Sequence, residues 1–189
     1  MKINSVIEYL KIYHKNGEQT YEEKLALKEY NKALCERYPF LIPHNRWSGK
    51  PITTKEKGFF PNSPEIIPEY DYEYTELDEM PEGWRIAFGD DMLEELRAEL
   101  VRCDYLDEYM IVQLKEKFGS LRIYDNGIPQ NCKVWDIISK YETISETTCI
   151  NCGKPARWLS KGWISPYCDD CINMEQSETY YNKIEEDKA

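Results

Sequence analysis

The chain predicts an α+β fold, and three observations predict it. Apolar residues recur at helical spacing over four separate stretches. Residues 110–123 instead alternate about a tight turn at Gly119, the mark of a hairpin. Near the C-terminus four cysteines stand in two Cys-x-x-Cys pairs, which reads as a small metal-held lobe. With 189 residues there is room for one ordinary domain and one small one.

The elements follow in order. Residues 4–15 and 20–37 read as helices, the second opened by a Thr20–Glu23 capping box and stopped by Pro39. Residues 1–38 thus form an N-terminal helical segment. Residues 39–82 are a connection, Pro-rich and then acidic and Tyr-rich. Seven of the ten prolines fall between 39 and 81, and no periodic pattern survives that density. Phe40, Leu41, Ile42, Trp47, Phe59 and Phe60 suggest that it packs on something. Residues 83–147 form a central unit: a helix over 90–103 capped near Asp90 or Asp91, the hairpin, and a helix over 131–146. In the hairpin Met110, Val112 and Leu114 alternate with Ile111 and Gln113, and Leu121 and Ile123 return on one face. Val134, Ile137 or Ile138, Tyr141, and Ile144 or Ser145 would pack the last helix on that hairpin.

Residues 148–189 form the four-cysteine lobe. Cys149, Cys152, Cys168 and Cys171 have the spacing of a structural zinc site, because two residues between cysteines let both sulfurs reach one ion from a tight turn. Between the pairs, "ARWL", "SKG" and "WISPY" fit a second hairpin, and residues after Cys171 look helical. Knuckle, hairpin and helix give a treble-clef-like layout; a zinc ribbon is the alternative. Four sulfurs would close the coordination sphere of one Zn2+ and leave no position for water or substrate. Cys35, Cys103 and Cys132 read as buried small hydrophobes or inert thiols.

Charge narrows the function. The formal net charge is −11, and residues 65–82 hold eight acids and no base. In "EYDYEY" Glu69, Asp71 and Glu73 alternate with Tyr70, Tyr72 and Tyr74, so an extended chain would separate carboxylates from rings. With Glu76, Asp78 and Glu79 these acids could dock in a basic groove that normally holds nucleic acid. The competing surface is basic and aromatic: Lys154, Arg157, Trp158, Lys161 and Trp163 would make the lobe a nucleic-acid-binding module. Glycine-rich phosphate loops, Gly-x-Ser-x-Gly and His-Glu-x-x-His are absent, and His14 and His44 lack a neighbouring nucleophile in sequence. The chain therefore reads as a binding protein rather than an enzyme. Its N-terminus has no uninterrupted apolar run before a cleavage site, which reads as cytoplasmic.

Four stretches carry a family resemblance: "LCERYPFLIP", "YTELDEMPEGWRIAFGDDM", "QLKEKFGSLRIYDNG" and the knuckle from Thr148 to Cys171. Over residues 34–171 the chain resembles small accessory proteins carried by phages and prophages of clostridia-like bacteria. The resemblance implies the host cytosol as location. By analogy with small acidic phage proteins, it implies a counter-defence role, such as inhibition of a Cas nuclease or another nucleic-acid enzyme.

Overall fold

Ser5 and Thr20 start the first two helices. The structure, a computed structural model, describes residues 1–45, 50–52, 70–172 and 174–184, with Gln176 and Glu178 described by their backbone alone. Trp47, Phe59, Phe60 and Glu69 therefore lie outside the described residues. Helix α1 spans Val6–Tyr13, with Ser5 Oγ accepting from the Glu8 amide. Helix α2 spans Tyr21–Arg37 behind a complete capping box, Thr20 with Glu23. Together they enclose a small core of Ile3, Tyr9, Leu10, Ala26 and Leu27.

The third helical run starts eight residues before the expected cap at Asp90. It comprises α3 (Glu82–Trp84), a π-helical turn (Arg85–Gly89) and α4 (Asp90–Arg102). Pro81 precedes it with φ of −52°, already close to helical, and Gly89 stays right-handed within it. Packing explains why Gly83 and Gly89 do not break the run. Trp84, Phe88, Met92, Leu96 and Leu100 recur every fourth residue, and all five are buried.

Strands β1 (Ile111–Lys117) and β2 (Ser120–Asp125) form the expected antiparallel hairpin. Its inward face differs from simple alternation. A bulge between Ile111 and Gln113 lets Ile111 and Leu114 both turn inward, while Val112 is only half-buried. The turn is two residues, Phe118 and Gly119, with φ of +55° and +81°. Helix α5 (Val134–Glu146) lies along β2 and buries Val134, Ile138, Tyr141 and Ser145. Ser145 Oγ accepts from the Leu121 amide at 2.8 Å, and the Tyr141 hydroxyl donates to Glu95 of α4 at 2.9 Å.

Cys103 and Cys132 are not separate thiols: they are disulfide-bonded, with Cα atoms 5.6 Å apart. The ends of α4 and the pre-α5 segment are already drawn together here. Arg102 donates to the Asn131 carbonyl at 2.7 Å, and Glu99 accepts from the Lys133 amide. Cys35 is buried, as a small hydrophobe would be.

The C-terminal lobe has β3 (Trp158–Ser160) paired with β4 (Pro166–Tyr167), as the hairpin reading expects. The expected long helix does not follow. After short 3-10 turns comes one helical turn, α6 (Ser177–Tyr180), and then β5 (Tyr181–Lys183), which pairs with the free edge of β3. The sheet order β4-β3-β5 makes the lobe ribbon-like. No helix among the described residues is long and apolar enough to cross a membrane.

Candidate metal centre

Two turns bring the cysteines together. In the first, the Cys149 amide donates to the Lys154 carbonyl at 2.7 Å, and the Gly153 amide to the Cys149 carbonyl at 3.0 Å. Gly153 holds φ of +78°, which closes this knuckle tightly. In the second, the Cys171 amide donates to the Cys168 carbonyl at 3.1 Å. Strands β3 and β4 bring the turns to the same end of the sheet, and the Ile150 amide donates to the Pro166 carbonyl at 2.9 Å.

The four sulfurs of Cys149, Cys152, Cys168 and Cys171 lie within 4.8 Å of one another, so the cluster can hold a metal ion. A tetrahedral ion with bonds of ~2.3 Å sets its sulfurs ~3.8 Å apart, a separation inside the 4.8 Å limit of this cluster. Among the described residues no histidine or carboxylate joins the group. Burial opposes the Cys149 thiolate, but backbone hydrogen bonds at Cys168, Asn151 and Cys152 outweigh it and lower its pKa. Burial and the neighbouring thiols push Cys171 up instead.

The knuckle is seated on the central unit. The Gly83 amide donates to the Ile150 carbonyl at 2.9 Å, and the Trp84 indole donates to the Thr148 carbonyl at 2.8 Å. Ile150 packs on the main core. At the other end of the lobe, the Trp163 indole donates to Glu116 of β1 at 2.8 Å.

The basic residues of the lobe are largely answered by its own acids. Lys154 lies 2.6 Å from Asp170, and Arg157 lies 3.2 Å from Asp169. The Trp158 indole also donates to Asp169, at 2.7 Å. Lys161 holds its backbone amide to the Tyr180 carbonyl, and Trp163 stands exposed on the turn. Two of the three cations are thus each paired with an acid of the same lobe.

The acidic segment is reorganised more deeply. Tyr72 adopts φ of +59°, so residues 70–74 do not run as the expected two-sided ribbon. Lys28 of α2 reaches both Asp71, at 3.3 Å, and Glu73, at 3.6 Å. Tyr70 packs its ring against Tyr72 and Tyr74. Asp78 does not face a partner at all. Its side chain is 3% exposed and pairs with Arg85, itself 2% exposed, at 2.6 Å. It also accepts from the Tyr9 hydroxyl at 2.9 Å and the Thr75 amide at 2.7 Å. Sequence reasoning missed Arg85 and Thr75. The Thr75-x-x-Asp78 spacing of a capping box was the available signal.

Thr75 and Asp78 cap a 3-10 turn, Glu76–Glu79, in which Glu79 is exposed and Glu76 half-buried. Burial first, and then the Glu79 charge, push the Glu76 carboxyl up to about 7. Folding therefore favours its protonated form, and that stabilisation is lost as pH rises from the unfolded value near 4.5 through 7. Glu76→Gln is expected to stabilise the protein by ~1–2 kcal/mol at pH 8, partial solvent contact holding it below the full ~1.4 kcal/mol per pH unit. At pH 4 the gain should vanish. Urea midpoints of both proteins at the two pH values test this; an equal gain at both would remove the ionisation argument.

No protein-family model, curated protein or solved structure matches the chain.

Proposed function

We propose that this chain is a non-enzymatic binding protein whose C-terminal lobe is held by one structural zinc ion. Its acidic segment docks on the basic groove of a nucleic-acid-processing effector and blocks it. This is how a phage-type accessory protein would disarm a host enzyme, a Cas nuclease being one such target in the host cytosol.

The zinc assignment rests on the donor set. Thiolate sulfur suits zinc, and four sulfurs closing on one point leave no open coordination position for chemistry. Metal analysis should find one zinc per chain; iron with visible absorption would overturn the assignment.

The docking reading rests on how the acidic segment is held. Asp78 anchors it inward and Lys28 ties Asp71 and Glu73 to α2. Glu73 and Glu79 are thus presented from an ordered chain, which reduces the entropy lost on binding. Beside them Glu76 is crowded by Glu79, and a cationic partner would relieve that crowding. The competing nucleic-acid reading of the knuckle loses support from the Asp169 and Asp170 pairs.

The test is capture of partners from host lysate with and without nuclease treatment. A protein retained after nuclease, and released by Glu73→Lys with Glu79→Lys, is the expected result. Retention and inhibition unchanged by that double reversal would sink the docking reading.

A further inference from the structure

The block Lys115–Tyr124 has no part in the reading above, yet it builds a distinct surface. In the β1–β2 register Lys115 faces Arg122, Gln113 faces Tyr124, and Lys117 faces Ser120. Cross-strand partners share a face, so these residues form one side of the hairpin. Leu114, Leu121 and Ile123 occupy the other side and are buried. In a chain of net charge −11, the strand residues of the outer side include three cations and no carboxylate, with Glu142 of α5 beside Arg122.

Two of the cations on this face lack the acid partner that several others have. Lys28, Lys140 and Lys154 each have an acid partner. Among the described residues Lys115 and Lys117 have none: Lys115 donates to Gln113 and lies 5.2 Å from the Tyr124 ring centre, and Lys117 lies 5.7 Å from that of Phe118. Arg122 reaches Glu142 only at 3.7 Å.

The aromatic residues continue the face beyond its tip. Phe118 takes the first place of the two-residue turn with φ of +55°, a position that favours Asn, Asp or Gly. Its ring is 73% exposed, so the fold gains little from a bulky residue in a strained conformation. The next turn abuts it. A Cβ on Gly119 would stand 3.1 Å from Ile164, and neighbouring Trp163 is held to Glu116, the partner of Leu121 on the hairpin's other side. Tyr124, also exposed, completes the row.

We infer that this hairpin face binds single-stranded nucleic acid, with Tyr124 and Phe118 stacking on bases and Lys115, Lys117 and Arg122 meeting phosphates. Exposed rings flanked by cations are the two components such platforms combine, and here Lys115 and Lys117 have no acid partner among the described residues. A duplex hides its base faces, so the rings select single strands. The inference is independent of the docking reading and uses none of its residues.

The test is fluorescence anisotropy of a labelled oligothymidylate of roughly a dozen nucleotides, titrated with the full chain at low salt. Saturable binding is expected, with log K falling against log salt at a slope of about −2 for three phosphate contacts. Phe118→Gly should weaken binding by about tenfold, the loss of one stacked base, while the melting temperature holds or rises because the turn strain is relieved. Lys115→Glu with Lys117→Glu should abolish binding, and Glu73→Lys with Glu79→Lys should leave at least wild-type affinity. No saturable binding by the wild type, equal affinity for duplex, or full affinity in Phe118→Gly would each overturn the inference.

Discussion

Asp78→Ala is expected to lower the unfolding free energy by ~3–5 kcal/mol, a large share of a domain's whole stability. The residue accepts from four groups at once: Arg85, the Tyr9 hydroxyl, and the amide and hydroxyl of Thr75. Removing it strands a guanidinium that is 2% exposed. Among the described residues Nε and Nη2 of Arg85 have no hydrogen-bond partner, so the Asp78 contact is its main compensation. The Tyr9 ring, 4.4 Å below the guanidinium, offers a cation–π contact but no acceptor for the lost bond. Damage should spread to α1, because Tyr9 is the centre of the small N-terminal core. At 2–4 °C per kcal/mol, the melting temperature should fall by roughly 10 °C. Asp78→Asn, which keeps an acceptor for Thr75 or Tyr9, should lose less. Asp78→Leu combined with Arg85→Met should recover most of the stability, since apolar pairs replace buried ion pairs well. A loss under ~0.5 kcal/mol for Asp78→Ala would mean that Arg85 finds other compensation.

The same residue shows where sequence reading stops. Helices α1 and α2 were legible because their limits are chemical: a Ser5 or Thr20 cap at one end, Pro39 beyond the other. The four cysteines were legible because spacing alone constrains a metal site. What composition cannot show is direction. Asp78 belongs by charge to a run of surface acids, and only the folded chain turns it inward to Arg85. Helix α3 hid behind Pro81 and Gly83, which punctuate most chains but here begin a helix whose buried stripe includes Trp84 and Phe88. Strand β5 was masked in the opposite way. Residues 174–183 contain helix formers, yet the edge of β3 has unpaired backbone groups, and pairing there overrides local preference. The Val112 misplacement came from one bulge, since a single inserted residue shifts every later side chain to the other face.

Gly83→Ala sets helix propensity against packing, and packing should win. Alanine in a helix is favoured over glycine by ~1 kcal/mol, so propensity alone predicts a more stable protein. The space beside Gly83 says otherwise. A Cβ there would lie 2.2 Å from the Cys149 carbonyl oxygen, 2.6 Å from that of Ile150 and 2.7 Å from the Cys152 amide nitrogen. All three are backbone atoms of the metal knuckle, so no side chain can swing away. The knuckle cannot easily retreat, because Gly153 in turn packs against Gly83: a Cβ on Gly153 would meet the Gly83 carbonyl at 2.6 Å. Accommodation requires the knuckle to lift off α3, breaking the bonds from the Gly83 amide to Ile150 and from Trp84 to Thr148. Overpacking of this kind costs ~3 kcal/mol or more, which exceeds the propensity gain. Because the displaced atoms carry Cys149 and Cys152, the variant should also release its metal to a chelator faster than the wild type. Thermal melts and chelator-driven metal release measure the two effects on one sample. A stabilised variant with wild-type metal retention would show that the lobe is not seated on α3. A destabilised variant that sheds metal early would show that the four-sulfur centre and the helical core fold as one unit, joined where two glycines let backbone meet backbone.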